Sequence, residues 1–164
     1  MRYALLSLFL LPLSGCGGET QVNFSSAEAA MEAGDAALAA RDAEAAVAAF
    51  SHAFNHDFVV DCEMAWKARA RLCEAELLGG NIEGAKKVLE VVLAPESSAT
   101  SSGLRRLGDA MVLAGEADLA EQLMVAAVKR FPEEREVFSR IADGLEALKS
   151  GDAQALAALG YAGD

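Results

Sequence analysis

LGDAMVLAGEADLAEQLMVAAV, Leu107 to Val128, is the stretch whose reading decides how this chain folds. Gly108 sits inside an apolar helical run, the run breaks at Gly115-Glu116, and an alanine-rich run resumes. Beyond the break Ala120, Met124 and Ala127 are spaced by four and then three, which puts the trio on one helix face. The stretch therefore predicts helix, turn, helix.

Two upstream stretches repeat the plan, AGDAALAARDAEAAVAAFSHAF and LCEAELLGGNIEGAKKVLEVVL. A small residue opens each first helix, Gly34 or Cys73, and the breaks fall at Arg41-Asp42 and Gly80-Asn81. The matching trios are Ala46-Phe50-Ala53 and Ala85-Leu89-Val92. A mid-helix glycine costs about 1 kcal/mol relative to alanine, so close approach of the partner helix at Ala46, Ala85 or Ala120 is expected to offset it. Cys73 then reads as a small buried apolar residue. Gly144 and Ser150-Gly151-Asp152 begin a shortened fourth unit ending in LAALGYAGD. A capping box, Ser25-Ser26-Ala27-Glu28, starts the first helix. SSATSS, Ser97 to Ser102, reads as a loop. Between Ala27 and Ala53, 14 of 27 residues are alanine, and almost nothing resembles a strand.

The repeated pattern resembles the tetratricopeptide repeat. Unit three carries it best, through Leu104, Leu107-Gly108, Ala120, Ala127 and Pro132, with Met124 at the aromatic position. The resemblance implies an all-α, right-handed α-solenoid of antiparallel helix pairs, about three and a half repeats over residues 27–164. Units one and two are offset by 39 residues and units two and three by 35, so extra residues fall near Asn55 to Asp61. In that family the first helix of each unit lines a peptide-binding face. Carried over by register, Lys67, Glu74, Arg105 and Asp109 face the groove. Lys67 and Arg71 match the Lys-x-x-x-Arg spacing of the family's carboxylate clamp; unit one offers Met31 and Asp35 where the clamp has lysine and asparagine.

Composition narrows the partners. The chain carries 25 acidic and 14 basic residues, net charge −11, which argues against nucleic acid. The charge is uneven: seven basic and six acidic residues from Cys62 to Arg106, but seven acidic and one basic from Ala27 to Asp61. Lys67, Arg69, Arg71, Arg105 and Arg106 thus form a positive stripe in an acidic body, suited to an acidic segment of a protein partner.

The N-terminus reads as an export signal. MRYALLSLFL places Arg2 before an apolar run too short to span a bilayer. Leu13-Ser14-Gly15-Cys16 resembles the lipobox of bacterial lipoproteins. The resemblance implies a signal peptide over residues 1–15, lipid on Cys16, a tether through residue 26, and a cell-envelope location. Gly17, where some lipoproteins carry an inner-membrane aspartate, favours the outer membrane facing the periplasm.

Other chemistries are thin. His52 and His56 stand four apart and are the weaker metal candidate, but HAFNH lacks the HExxH glutamate. No serine elbow or phosphate loop appears, so neither enzyme activity nor a cofactor is expected. Cys62 and Cys73 lie eleven residues apart on one expected helix, about 16 Å at the usual rise, so both should be free thiols. The expected function is a non-catalytic adaptor. The alternatives are a permanent subunit of an envelope assembly, of outer-membrane or pilus-biogenesis type, or a metal- or thiol-handling protein.

Overall fold

The computed structural model describes residues 24–55 and 62–161. Within them the chain is helical and contains no strand. The α-helices are α1 (Ala27–Ala39), α2 (Ala43–Asn55), α3 (Cys62–Leu78), α4 (Ile82–Val92), α5 (Ser101–Leu113), α6 (Ala117–Arg130), α7 (Ser139–Ser150) and α8 (Ala153–Ala158). A 3-10 segment, Pro132–Phe138, joins α6 to α7. The signal, the lipobox with Cys16, the tether before Phe24, and His56 lie outside the described residues, as does the side chain of Cys62.

One local device makes every hairpin. Arg41, Gly80, Gly115 and Gly151 each take a positive φ just past a helix. The next residue then donates its N–H back across the turn: Asp42 to Ala37, Asn81 to Glu76, Glu116 to Met111 and Asp152 to Ala147, each at 2.9 Å. This six-to-one bond satisfies a helix-end carbonyl and reverses the chain. At three turns the same residue also caps the following helix. Asp42, Asn81 and Asp152 accept from the N–H groups of Ala45, Gly84 and Ala155. Glu116 makes no such bond.

Contacts across α3 and α4 fix their antiparallel register. The Trp66 indole N–H donates to the Val92 carbonyl at 3.2 Å, and the Cys73 thiol to the Ala85 carbonyl at 3.4 Å. Seven residues forward on α3 match seven backward on α4. The closeness expected of Cys73 and Ala85 is thus present. At the glycines the neighbour differs from expectation. A Cβ on Gly34 would meet the Phe50 ring at 2.5 Å rather than Ala46. One on Gly108 would meet Ile141 of α7 at 2.5 Å and Leu123 at 3.2 Å, rather than Ala120. A large side chain fills each gap because burying it removes more apolar surface than alanine could.

Two further details depart from the sequence reading. Leu123, fully buried, and Leu119 are the large core residues of α6, while Met124 packs partly buried against the same core. The face of α6 runs Ala120, Leu123, Ala127, spaced three then four rather than four then three. The loop before α5 ends at Thr100, whose hydroxyl accepts from the Gly103 N–H, so Ser101 and Ser102 belong to the helix. Arg130 pins that loop by donating to Ala94 O, Ser97 O and the Ser97 hydroxyl.

The apolar interior has two parts. The larger joins α3 through α8 around Trp66, Leu89, Leu107, Met111, Phe138 and Ile141. The smaller joins α1, α2 and α3 and contains Phe50, Met31, Leu72 and five alanines: 30, 46, 53, 68 and 75. Helix α3 serves both, with Trp66, Ala70, Cys73 and Leu77 on one side and Ala68, Leu72 and Ala75 on the other.

Candidate binding groove

The first helices of three hairpins, α1, α3 and α5, share an open groove of about 580 Å³. Asp35, Arg71, Glu74, Arg106 and Asp109 supply its polar side, and Leu38, Ala110 and Leu113 its apolar side. Leu113 is 55% exposed there, unusual for a leucine in so well packed a helix. A second cleft of about 300 Å³ adjoins it between α3 and α5, lined by Lys67, Arg71, Arg105 and Arg106 over Trp66 and Gly103. The two share Arg71, Glu74 and Arg106.

Glu74 is the centre of this surface. It is 8% exposed, and its carboxylate accepts from Arg71 Nη1 at 2.9 Å and from Arg106 Nε at 2.9 and 3.2 Å. Arg71 also reaches Asp35 of α1 at 3.0 Å. The chain Asp35–Arg71–Glu74–Arg106 therefore ties three hairpins together through charge. Burial pushes the Glu74 carboxyl up to about 7; Arg71 pulls it down and Asp35 pushes it further up.

A second cluster forms around Asp109. Arg105 pairs with it along α5 at 3.1 Å, and the Tyr161 hydroxyl donates to it at 2.5 Å. Arg140 of α7 stands 4.0 Å away and lies over the Tyr161 ring. Burial, then the bond and charge of Asp109, raise the Tyr161 hydroxyl above its ordinary value against the pull of Arg140.

The five residues assigned to peptide binding, Lys67, Arg71, Glu74, Arg105 and Asp109, line these two clefts. Their cations are not equally available. Lys67 is exposed, whereas the Arg71 side chain is 12% exposed and held by two carboxylates. Arg69, part of the positive stripe, turns away and lies over the Phe54 ring. The sequence places Arg106 in the positive stripe but not among the groove residues, and it gives no role to Arg140 or Tyr161. Their partners are 32, 31 and 52 residues away in the chain, beyond any helix-spacing rule.

The remaining candidates sit elsewhere. His52 is half-buried on α2, with the Phe24 ring edge-on at 5.2 Å. Among the described residues no three His, Cys, Asp or Glu side chains gather as metal ligands. Cys73 is a buried free thiol whose ionisation burial pushes up to about 12, Glu74 and Glu76 adding to the rise, so it stays protonated and unreactive. No helix among the described residues is long and apolar enough to cross a membrane.

The fold and groove define the chain as an all-helical protein of stacked hairpins with a charged cleft across their first helices. Comparison with family models, with curated proteins and with solved structures gave no match.

Proposed function

We propose that this protein is a non-catalytic, membrane-tethered adaptor of tetratricopeptide type that receives an acidic segment of a partner protein in its groove. The observation that carries the reading is the convergence of Lys67, Arg71, Arg105 and Arg106 on a cleft lined by one carboxylate, Glu74, in a chain of net charge −11. Asp35, Glu74 and Asp109 pair with the three arginines, and Lys67 at the mouth leaves the cluster with one cation in excess, which attracts a carboxylate. The apolar shelf of Leu38, Ala110 and Leu113 beside it gives a bound segment somewhere to lay an apolar side chain. Stacked hairpins in a right-handed solenoid would hold an extended peptide along this line of first helices.

The Leu13-Ser14-Gly15-Cys16 motif supports the tether. Acyl chains on Cys16, two or more, would hold the protein stably on an envelope membrane, where one chain would be marginal. The groove then faces the periplasm from the outer membrane.

A photoreactive residue placed at position 67 or 105 in intact cells tests the partner. A discrete protein adduct that the position-67 probe loses on Arg105→Glu, and the position-105 probe on Lys67→Glu, is the expected result. Adducts indifferent to charge reversal would refute the acidic-segment reading. Cys16→Ala should lose lipid label and leave the membrane fraction; a wild type that carries no lipid would refute the tether.

A further inference from the structure

Every cation of the α3–α5 cleft but Lys67 is already turned toward a carboxylate of the chain itself. Arg71 is half-buried and shared between Asp35 and Glu74. Arg105 leans back to Asp109. Arg106 is different: its side chain is 54% exposed, yet it reaches across from α5 to a Glu74 side chain that is 9% exposed. It can rotate into solvent without uncovering apolar core, whereas Glu74 is held in place by its own burial.

We propose that Glu74 is an internal ligand of this cleft, occupying the guanidinium groups that an incoming carboxylate takes, so that a partner binds by exchanging Arg106 away from it. This inference rests on the reading that the cleft receives an acidic segment. In the exchange Arg106 swings from Glu74 to the partner carboxylate, joined by Lys67 at the mouth and Arg105 beside it. Arg71 stays between Asp35 and Glu74, so Glu74 keeps one cation partner when Arg106 leaves. Glu74 then opposes binding twice, by holding Arg106 and by repelling an anion of like charge.

Removing the charge of Glu74 should therefore tighten binding, and protonation does this as well as substitution. The charged groups around Glu74 are Asp35 from α1, Arg71 and Lys67 from α3, and Arg106, Arg105 and Asp109 from α5. Its carboxyl, raised by burial, loses its charge in a range where the glutamates of a solvated peptide, with ordinary values near 4.3, remain ionised.

The test uses the full chain in detergent micelles and a fluorescein-labelled penta-glutamate peptide, with penta-glutamine as the uncharged control, followed by anisotropy. At pH 8 Glu74→Gln should bind penta-glutamate about tenfold tighter than wild type, an effect of one charge at contact distance. Wild-type binding should tighten by a similar factor from pH 8 to pH 6, while Glu74→Gln stays flat. If Glu74→Gln binds no tighter while Lys67→Glu and Arg105→Glu abolish binding, the internal-ligand inference is overturned and the acidic-groove reading stands. If charge reversal changes nothing, or penta-glutamate binds no better than penta-glutamine, both fall. Should Glu74→Gln misfold by circular dichroism, the wild-type pH series decides, and a flat series overturns the inference.

Discussion

The six-membered edge of the Trp66 indole occupies the space that a Cβ on Gly103 would need. Trp66 is thus the joint between hairpins two and three, holding α4 by its N–H to Val92 and α5 by contact with a bare backbone. Gly103→Ala pits a helix-propensity gain of about 1 kcal/mol against overpacking of about 1–3 kcal/mol on a rigid, buried ring. Overpacking should win, and the urea midpoint should fall. In a Trp66→Phe background the ring no longer reaches as far, so the same alanine should become neutral or stabilising. An alanine that destabilises equally in both backgrounds would show that the indole is not the obstacle.

Gly34 and Gly108 both lack room for a side chain, but their neighbours yield differently. Gly34 faces the Phe50 ring, which is fully buried and cannot bend. Gly108 faces the terminal methyl of Ile141, which can rotate. Gly34→Ala should cost roughly 2–3 kcal/mol and Gly108→Ala about 1 kcal/mol, within the usual range for overpacking. Gly108→Leu, far larger than any rotation can accommodate, should prevent cooperative folding. Thermal melts of the three variants give the order directly.

The turn at Arg41 pays a conformational penalty that the other turns avoid. Arg41 takes φ +58° where Gly80, Gly115 and Gly151 perform the same reversal. Left-handed backbone costs a side-chain-bearing residue roughly 1–2 kcal/mol, partly offset because glycine is freer when unfolded. Arg41→Gly should therefore stabilise by about 0.5–1 kcal/mol. Gly80→Ala is the converse control: nothing lies within 4 Å of its added Cβ, so any loss there is backbone conformation alone. Denaturant midpoints moving in opposite directions are expected.

Glu74 should make stability depend on pH in a direction opposite to most carboxylates. Its folded value, about 7, lies above the ordinary 4.5, so the folded chain holds the proton more tightly than the unfolded chain. Stability is then greatest below pH 4.5 as far as this group is concerned, and falls as pH rises through 7. Relative to Glu74→Gln, wild type should lose on the order of 1–3 kcal/mol between pH 4.5 and pH 8. A difference in melting temperature that stays constant across that range would show the carboxyl titrating normally.

Much of this architecture is visible in the sequence because it is local. The four reversals announce themselves as a positive-φ residue followed by Asp, Asn or Glu, and both halves of that signal act within six residues. The Cys73–Ala85 contact follows from the same arithmetic. What fills a glycine gap does not follow, because Phe50 and Leu123 lie fifteen or sixteen positions on and Ile141 comes from another hairpin. The groove was half legible. Helix register brings Lys67, Glu74, Arg105 and Asp109 to one face, but the pairing of Glu74 with Arg106 and of Tyr161 with Asp109 depends on how hairpins stack.

The division of the interior predicts where the fold opens first. Among the described residues, alanines make up five of the eight buried between hairpin one and α3, with Phe50 the one aromatic of the eight. The larger core buries Trp66, Phe138, Tyr161, Met111 and several leucines. Burial stabilises in proportion to apolar area, so the first hairpin is held by far less. Stacked repeats in contact with neighbours alone should come apart by unit rather than all at once. Hydrogen exchange should therefore show α1 and α2 opening at a lower free energy than α5, α6 and α7. Phe50→Ala, a truncation of the kind that costs about 3–5 kcal/mol, should erase protection in α1 and α2. Helices α5 to α7 should keep theirs, because Leu107, Met111, Leu123 and Ile141 do not touch Phe50's cluster. Equal loss of protection in all five helices would mean that α3, which serves both cores, couples them into one cooperative unit.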